Sequence, residues 1–437
     1  MIKKNMNVVR SSALALVLSL GLVACGDDDD DMPMTMSDAG RDSGGDGGGA
    51  DVDSGGDGDG GGDGGTPDVD GGADAGDIDA GFADAGPIDC TPTTLLVTTS
   101  NFAIGALATY DLATGVVTVS PTAAADQDTL PVRAGCDTYL VEGSSGRVRR
   151  QVGGDALNTA VSIDVDPTGT PATEVYVSSP QRVIEAAGST FVTRYSLQSA
   201  VRIDPAAGTV IGEVDFSALA ATYSVGAVDV VDTVDMSNVL FNDGRLLVGL
   251  GRFYFDSTFA LLYAGPSLIA LVDPVAGTVT DTDPAVAGVQ GIELPVGNPG
   301  PIVRLDDDVV LVTCTDDGFT DDDGVLFAID IPSRTVTATA ATEATLGGFK
   351  GLATTEDARV FLAAGGALLE LMSDTGTVID TLVPASVGVT GFVIYGDSAF
   401  VIADGALRVW SLATGAETTA APVRFGEQNI YGIALAR

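Results

Sequence analysis

From Cys90 onward, apolar and polar positions alternate in short runs broken by Asp, Pro and Gly, and one phrase keeps returning. It consists of an apolar strand, an Asp or Ser, a turn and a second apolar strand. It reads LATYDLATGVVTV from Leu107, AVRIDPAAGTVIGEV from Ala200 and IALVDPVAGTVTDT from Ile269. It recurs as LFAIDIPSRTVTAT from Leu326, LLELMSDTGTVIDTL from Leu368 and LRVWSLATGAETTA from Leu407. β-Branched runs flanking an Asp/Pro/Gly turn predict a hairpin for each copy. Two more apolar runs precede the later copies: GPIVRLDDD then VVLVTCT, FKGLATTEDA then RVFLAAGG, TGFVIYGD then SAFVIADG. No long segment carries the 3.6-residue period, so few helices are expected.

Four strands per unit, repeated every 40–70 residues or so, is the pattern of β-propeller blades. The phrases resemble the YVTN-type, or YncE-like, propeller repeat, in which a "vYVtn" strand precedes a "v-v-ID-ttg-vv-t" hairpin. Glu174 to Val214, beginning EVYVSSPQRV, is the clearest copy. The resemblance covers nearly all of 90–437 and implies an all-β, seven-bladed β-propeller; it speaks to fold far more than to function. In this count the unit around TYLVEGSSGRVRRQV is a degenerate second blade. The first blade lacks its inner strand, because Cys90 leads straight into TTLLVTTS. The terminal NIYGIALAR is left over, and pairing it with the first blade would close the ring without an open edge.

The pattern ahead of Cys90 is different. Met1 to Arg10 is basic, and Ala13 to Ala24 is an apolar run of 12 residues. That is well short of the ~20 needed to span a bilayer as a helix, and it has the form of an export-signal core. Leu22-Val23-Ala24-Cys25 follows. It resembles the lipobox of bacterial lipoproteins, which implies a signal peptide over 1–25, diacylglycerol on Cys25 and a membrane anchor through that lipid. Gly26, rather than Asp, follows the cysteine, and within that family this favours the outer membrane, on its periplasmic side or at the cell surface. Residues 26–89 hold 20 Asp, no Glu and one basic residue, Arg41. With almost no large apolar side chains, this low-complexity stretch cannot offset the entropy of ordering and reads as a disordered linker. Without a Glu it does not make an EF-hand loop.

Charge and composition narrow the chemistry. Of the formal net charge of −41, the leader contributes +3 and the linker −19, which leaves −25 on 90–437. Such a domain repels phosphate backbones, which excludes nucleic acid as a partner. There is no histidine, so Ser-His and Cys-His nucleophile pairs and histidine metal sites are absent. No GxSxG, Walker, HExxH or Cys-x-x-Cys pattern occurs. Cys90 falls where the inner hairpin of blade one turns, and Cys136 ends the inner strand of blade two at the same level. In an oxidising compartment a Cys90–Cys136 disulfide is expected. Cys314, inside VVLVTCT, is expected to be a buried thiol.

Two loops between second and third strands are longer than the rest. Blade four inserts GRFYFDSTFALLYAGPS, with Phe253, Tyr254, Phe255, Phe259 and Tyr263; blade five inserts TDDGFTDDDG. The aromatics are either a binding face or additional core capping the channel. The acidic loop is either solvated or a calcium site, whose ligands would be Asp316, Asp321 and Asp323. The sequence thus points to a monomeric, lipid-anchored, non-enzymatic scaffold for an envelope protein or glycan, with no cofactor unless calcium. Two alternatives stay open: a carboxylate-dependent hydrolase at the channel mouth and a calcium-dependent adhesin.

Overall fold

The computed structural model describes residues 90–101, 104–151, 159–166, 179–195, 197–225, 228–231, 234–255, 261–315, 323–426 and 428–437. Cys25, the leader and the linker lie outside these residues, as does the EVYV run at 174–177. Within them the chain forms a seven-bladed β-propeller. Five blades are four-stranded antiparallel sheets, blade four adds a short fifth strand to its four, and one blade is three-stranded. The inner strands, in blade order, are Asn429–Ala436, Thr129–Ala134, Pro180–Ala186, Met236–Asn242, Pro299–Arg304, Phe349–Thr354 and Val389–Tyr395. The last strand of the chain supplies the inner strand of blade one. It pairs antiparallel with Thr94–Ser100, from Thr94 opposite Ala436 to Ser100 opposite Asn429. That pairing closes the ring and removes the free edge an open array would expose.

The recurring phrase explains the outer turns. In blades one, three and four, Asp111, Asp204 and Asp273 close the third strand. Each accepts backbone N–H donors two and three residues on, at 2.7–3.1 Å. This Asx geometry satisfies the turn before the glycine, and the glycine N–H then returns to the Asp carbonyl at 2.8–2.9 Å. Gly115, Gly208 and Gly277 take the left-handed φ this closure demands, at 67–71°. Blade five reaches the same conformation with Arg334, at φ 59°.

The core is divided among seven hydrophobic clusters, one at each interface between neighbouring blades. Because strand side chains alternate, each strand serves two neighbours. Leu246 and Val248 pack toward blade three, while Leu247 packs toward blade five. The second strands are therefore buried on both faces along nearly their whole length rather than alternating. Trp410 is buried between blades six and seven.

Two sequence expectations require correction. Blade two is not degenerate: its fourth strand, Thr159–Asp164, pairs along the length of Arg147–Gln151. The reduced blade is the seventh, where isolated bridges Leu407–Val423 and Trp410–Glu417 stand in for an outer strand. The ATGAETTA run there has no Val or Ile, which the outer strands of the other blades carry.

Candidate functional site

An antiparallel blade alternates its connections between the two ends of the ring. Turns from first to second and from third to fourth strand lie at one end, here the turn end. Second-to-third loops and the crossings between blades lie at the other, the insert end. The elaborations of blades three to five all use the insert end. The hairpin Thr222–Val225/Val228–Val231 precedes blade four, and the hairpin Phe253–Phe255/Leu261–Tyr263 interrupts it. The connection from Thr280 to Pro299 carries a strand, Ile292–Glu293, that pairs back on blade four.

The aromatic insert is partly core. Phe253 is 6% exposed and sits edge-to-face between Tyr195 of blade three and Tyr263, with centroids 6.1 Å apart on both sides. Its backbone N–H donates to the buried Asp235 carboxylate at 3.0 Å. A Cβ on Gly251 would stand 2.7 Å from the Phe253 ring, so only glycine fits beneath it. Tyr263 is half-buried and lies over Gly297, with its hydroxyl 3.5 Å from the Thr315 carbonyl at the root of the acidic loop. The two inserts therefore touch at the level of blade five. Tyr254 and Phe255 belong to the hairpin strand, and Phe259 lies outside the described residues.

Asp316 and Asp321 also lie outside the described residues; Asp323 is half-buried at the end of the acidic loop. Among the described residues no three acidic or sulfur side chains are grouped to hold a metal ion. The exit of the loop is fastened by a residue the sequence did not single out. Glu343, 3% exposed, accepts the Gly324 N–H at 2.9 Å and the Phe349 N–H at 2.6 Å. Its own N–H donates to the Gly324 carbonyl at 2.8 Å.

A second feature of the insert end is a tier of β-bulges. Six of the seven inner strands carry one extra residue opposite their partner, always within the first three positions. Gln181, Lys350, Thr390 and Tyr431 are the extra residues in blades three, six, seven and one. Ser237–Asn238 faces a single residue in blade four, and Gly300–Pro301 does so in blade five. Blade two stays in register. A bulge breaks the ladder and re-aims a side chain, and bulges gather at rims and sites. Hydrogen bonds stitch the tier laterally: Arg182 Nε donates to Asn238 Oδ1 at 3.2 Å and Ser237 Oγ to the Pro299 carbonyl at 2.6 Å. Three bulges share a signal in the sequence, an apolar residue, the bulged residue, then glycine: Phe-Lys-Gly, Val-Thr-Gly, Ile-Tyr-Gly. Two of these glycines pack against the adjoining blade, Gly432 against Pro131 and Gly351 against Phe392, while Gly391 packs on Ile402 of its own blade.

Carboxylates also gather at this end. Ser144 Oγ lies 2.9 Å from Asp128 Oδ1 and 3.4 Å from Asp126 Oδ2. Burial, with Asp126 nearby, raises the Asp128 pKa. Burial raises Glu142 as well, against the pull of Arg149 at 2.5 Å. Burial, with Asp128 close by, pushes Tyr431 up to about 12.

At the turn end Cys90 and Cys136 are joined as a disulfide, with Cα atoms 4.9 Å apart. Arg133 seals the junction by donating to the Cys90 carbonyl at 2.6 Å and the Gly135 carbonyl at 3.0 Å. Beside it a cleft of about 480 Å³ between blades two and three is lined by Asp137, Arg150 and Glu185. The Asp137–Arg150 pair closes at 2.6 Å. Cys314 is buried and its thiol pKa is raised by burial, which leaves it unreactive.

No protein-family model matches the chain, and no curated protein matches it in sequence. Among solved structures it is similar to the computationally designed Ika8 protein, at 12% identity and a TM-score of 0.46, over 79% of this chain and 92% of that one. It is similar to AztD from Citrobacter koseri at 11% identity and a TM-score of 0.44, covering 78% and 97%. BamB from Moraxella catarrhalis gives 13% and 0.42, covering 72% and 84%. All three scores lie below 0.5, so the fold assignment rests on the strand order of the chain itself.

Proposed function

We propose that this chain is a lipid-anchored protein of the bacterial envelope whose propeller acts as a non-enzymatic binding scaffold, with the insert end of the channel as its binding face. One observation carries the reading: the elaborations of blades three to five emerge at a single end and meet there through Tyr263 and Thr315. A loop set raised on a rigid ring is the usual way a scaffold presents a binding surface. Attachment fits this arrangement. Cys90, the first described residue, lies at the turn end and is tied to blade two. The anchor rests on the Leu22–Cys25 motif.

Two experiments test the proposal. Cys25→Ser should abolish labelling by radioactive palmitate and release the protein from the membrane fraction; a variant that stays bound would refute the anchor. Replacing the hairpin 253–263 with a two-residue Asn-Gly turn should abolish binding to an isolated envelope fraction while the thermal transition stays cooperative. Undiminished binding would refute the choice of face.

Asp126, Asp128 and Ser144 favour a second reading, a hydrolase whose acid is Asp128, the carboxyl that burial raises. That reading requires hydrolysis of an envelope glycan that Asp128→Asn abolishes.

A further inference from the structure

The inner strands run against the charge of the domain. Residues 90–437 hold 41 acidic and 16 basic side chains, yet the seven inner strands carry Arg133, Arg182, Arg304 and Lys350 against a single acid, Glu185. Arg182 and Lys350 lie within the first three residues of their strands. All inner strands start at the insert end, so these two charges share the level of the bulges.

Arg182, like Arg133 with the Cys90 and Gly135 carbonyls, meets only neutral acceptors, whereas most of the buried or half-buried arginines do not. Arg149, Arg150, Arg194 and Arg359 each pair with a carboxylate at 2.5–3.2 Å. Among the described residues Arg182 has none. Its Nε goes to Asn238 Oδ1 and its Nη1 to the Gln181 carbonyl at 3.1 Å, which leaves Nη2 without an acceptor. With Asn238 Oδ1 receiving Arg182, the two N–H groups of its Nδ2 have no acceptor among the described residues. Both side chains are half-buried. A strand covered by blades on its faces and by its partner on one edge has only the channel left to be exposed to.

We propose that the insert end of the channel binds an oxyanion, a carboxylate or phosphate group of a small ligand, at Arg182 and Asn238. The planar guanidinium and the adjacent amide offer the paired N–H donors that such a group accepts in bidentate fashion. The low-dielectric channel wall strengthens the field of Arg182 within an otherwise acidic domain. Burial lowers the Arg182 pKa with no acid opposing it, which is the state expected of a cation whose counter-charge arrives with a ligand. The inference rests on the insert end being the binding face.

The test uses the full chain with inorganic phosphate and citrate as separate probes, at ionic strength matched with sodium chloride, read by calorimetric titration and thermal midpoint. One or both anions should bind and raise the midpoint above the chloride control, and which of them does so tells phosphate from carboxylate. Arg182→Gln should weaken that binding at least tenfold. Asn238→Asp supplies the missing carboxylate internally, so it should fold with a midpoint at or above wild type and lose the anion response. Arg245→Gln, at the turn end, should respond as wild type. No response to either anion, or an undiminished response in Asn238→Asp, would overturn the proposal. The hairpin replacement separates the two readings. Envelope binding that the replacement abolishes, alongside absent anion binding, would sink the oxyanion site and leave the binding face standing.

Discussion

Glu343 is a sharp test of how the insert end is held. Its carboxylate accepts two backbone donors, Gly324 N–H at 2.9 Å and Phe349 N–H at 2.6 Å, and the side chain is 3% exposed. Glu343→Leu keeps much of the volume and removes both acceptors. A buried donor left unpaired costs about 1–3 kcal/mol. Gly324 is buried and bears this in full, whereas Phe349 is half-buried and regains water in part. The leucine recovers about 1–2 kcal/mol through apolar burial. The net expectation is a loss of about 1–3 kcal/mol. Glu343→Gln keeps one acceptor and turns an NH₂ toward a donor, so about 1 kcal/mol is expected. Urea unfolding of the full chain measures both. Hydrogen exchange should quicken at the Gly324 and Phe349 amides while the second strand of blade two, Asp137–Glu142, stays protected. A leucine variant within 0.5 kcal/mol of wild type, the scale of a neutral surface change, would refute the argument.

Other perturbations address the seam, the entry and the pH response. Gly432→Val puts a Cβ 2.7 Å from Pro131 Cδ and should cost about 1–3 kcal/mol by overpacking at the closure; Ala434, also in the terminal strand, should exchange faster. Cys90→Ala with Cys136→Ala opens a loop with a sequence separation of 46, worth about 2–4 kcal/mol in chain entropy, read by urea unfolding against wild type under reducing and oxidising conditions. The pH dependences of two carboxylates should have opposite signs. Asp128 is raised in the folded state, so it binds more protons there than when unfolded, and stability falls as pH rises from the ordinary aspartate value through the raised one. Asp128→Asn should remove that fall. Glu370 is lowered by Arg359, which it meets through two hydrogen bonds of 2.8 Å. Its stabilisation is present above the ordinary glutamate value and lost as pH drops through the lowered one. Glu370→Gln should flatten the acid limb.

The fold was legible because the repeat is written in turn chemistry. Asp111, Asp204 and Asp273 stand four residues before glycines that need a left-handed φ, and that spacing survives where the strand residues vary. Closure was legible for a related reason, since blade one lacked a strand and the chain ended with one to spare. The bulge tier was not. Alternation of apolar and polar residues reports which face a side chain takes, whereas a bulge shifts register by one residue without altering composition. Lys350, Thr390 and Tyr431 therefore read as ordinary strand positions, and only the glycines after them hinted otherwise. Glu343 was missed because a lone acid after Thr342 carries no pattern; its role comes from two amides, Gly324 and Phe349, brought to it by the crossing between blades. The aromatic insert was located correctly as an excursion, but residue type alone did not separate the buried Phe253 from the more exposed parts of the hairpin.

The central claim is that the insert end, and not the turn end, meets the partner. Two exposed apolar residues mark the two ends of blade four: Leu262 on the inserted hairpin, 40% exposed, and Val275 in the turn after the third strand, 76% exposed. A photo-crosslinking amino acid placed at either position in the full chain, and activated in living cells, reads contact directly. A discrete adduct to an envelope component from position 262 and none from position 275 is the predicted result; an adduct from 275 alone, or the same pattern from both, would contradict it.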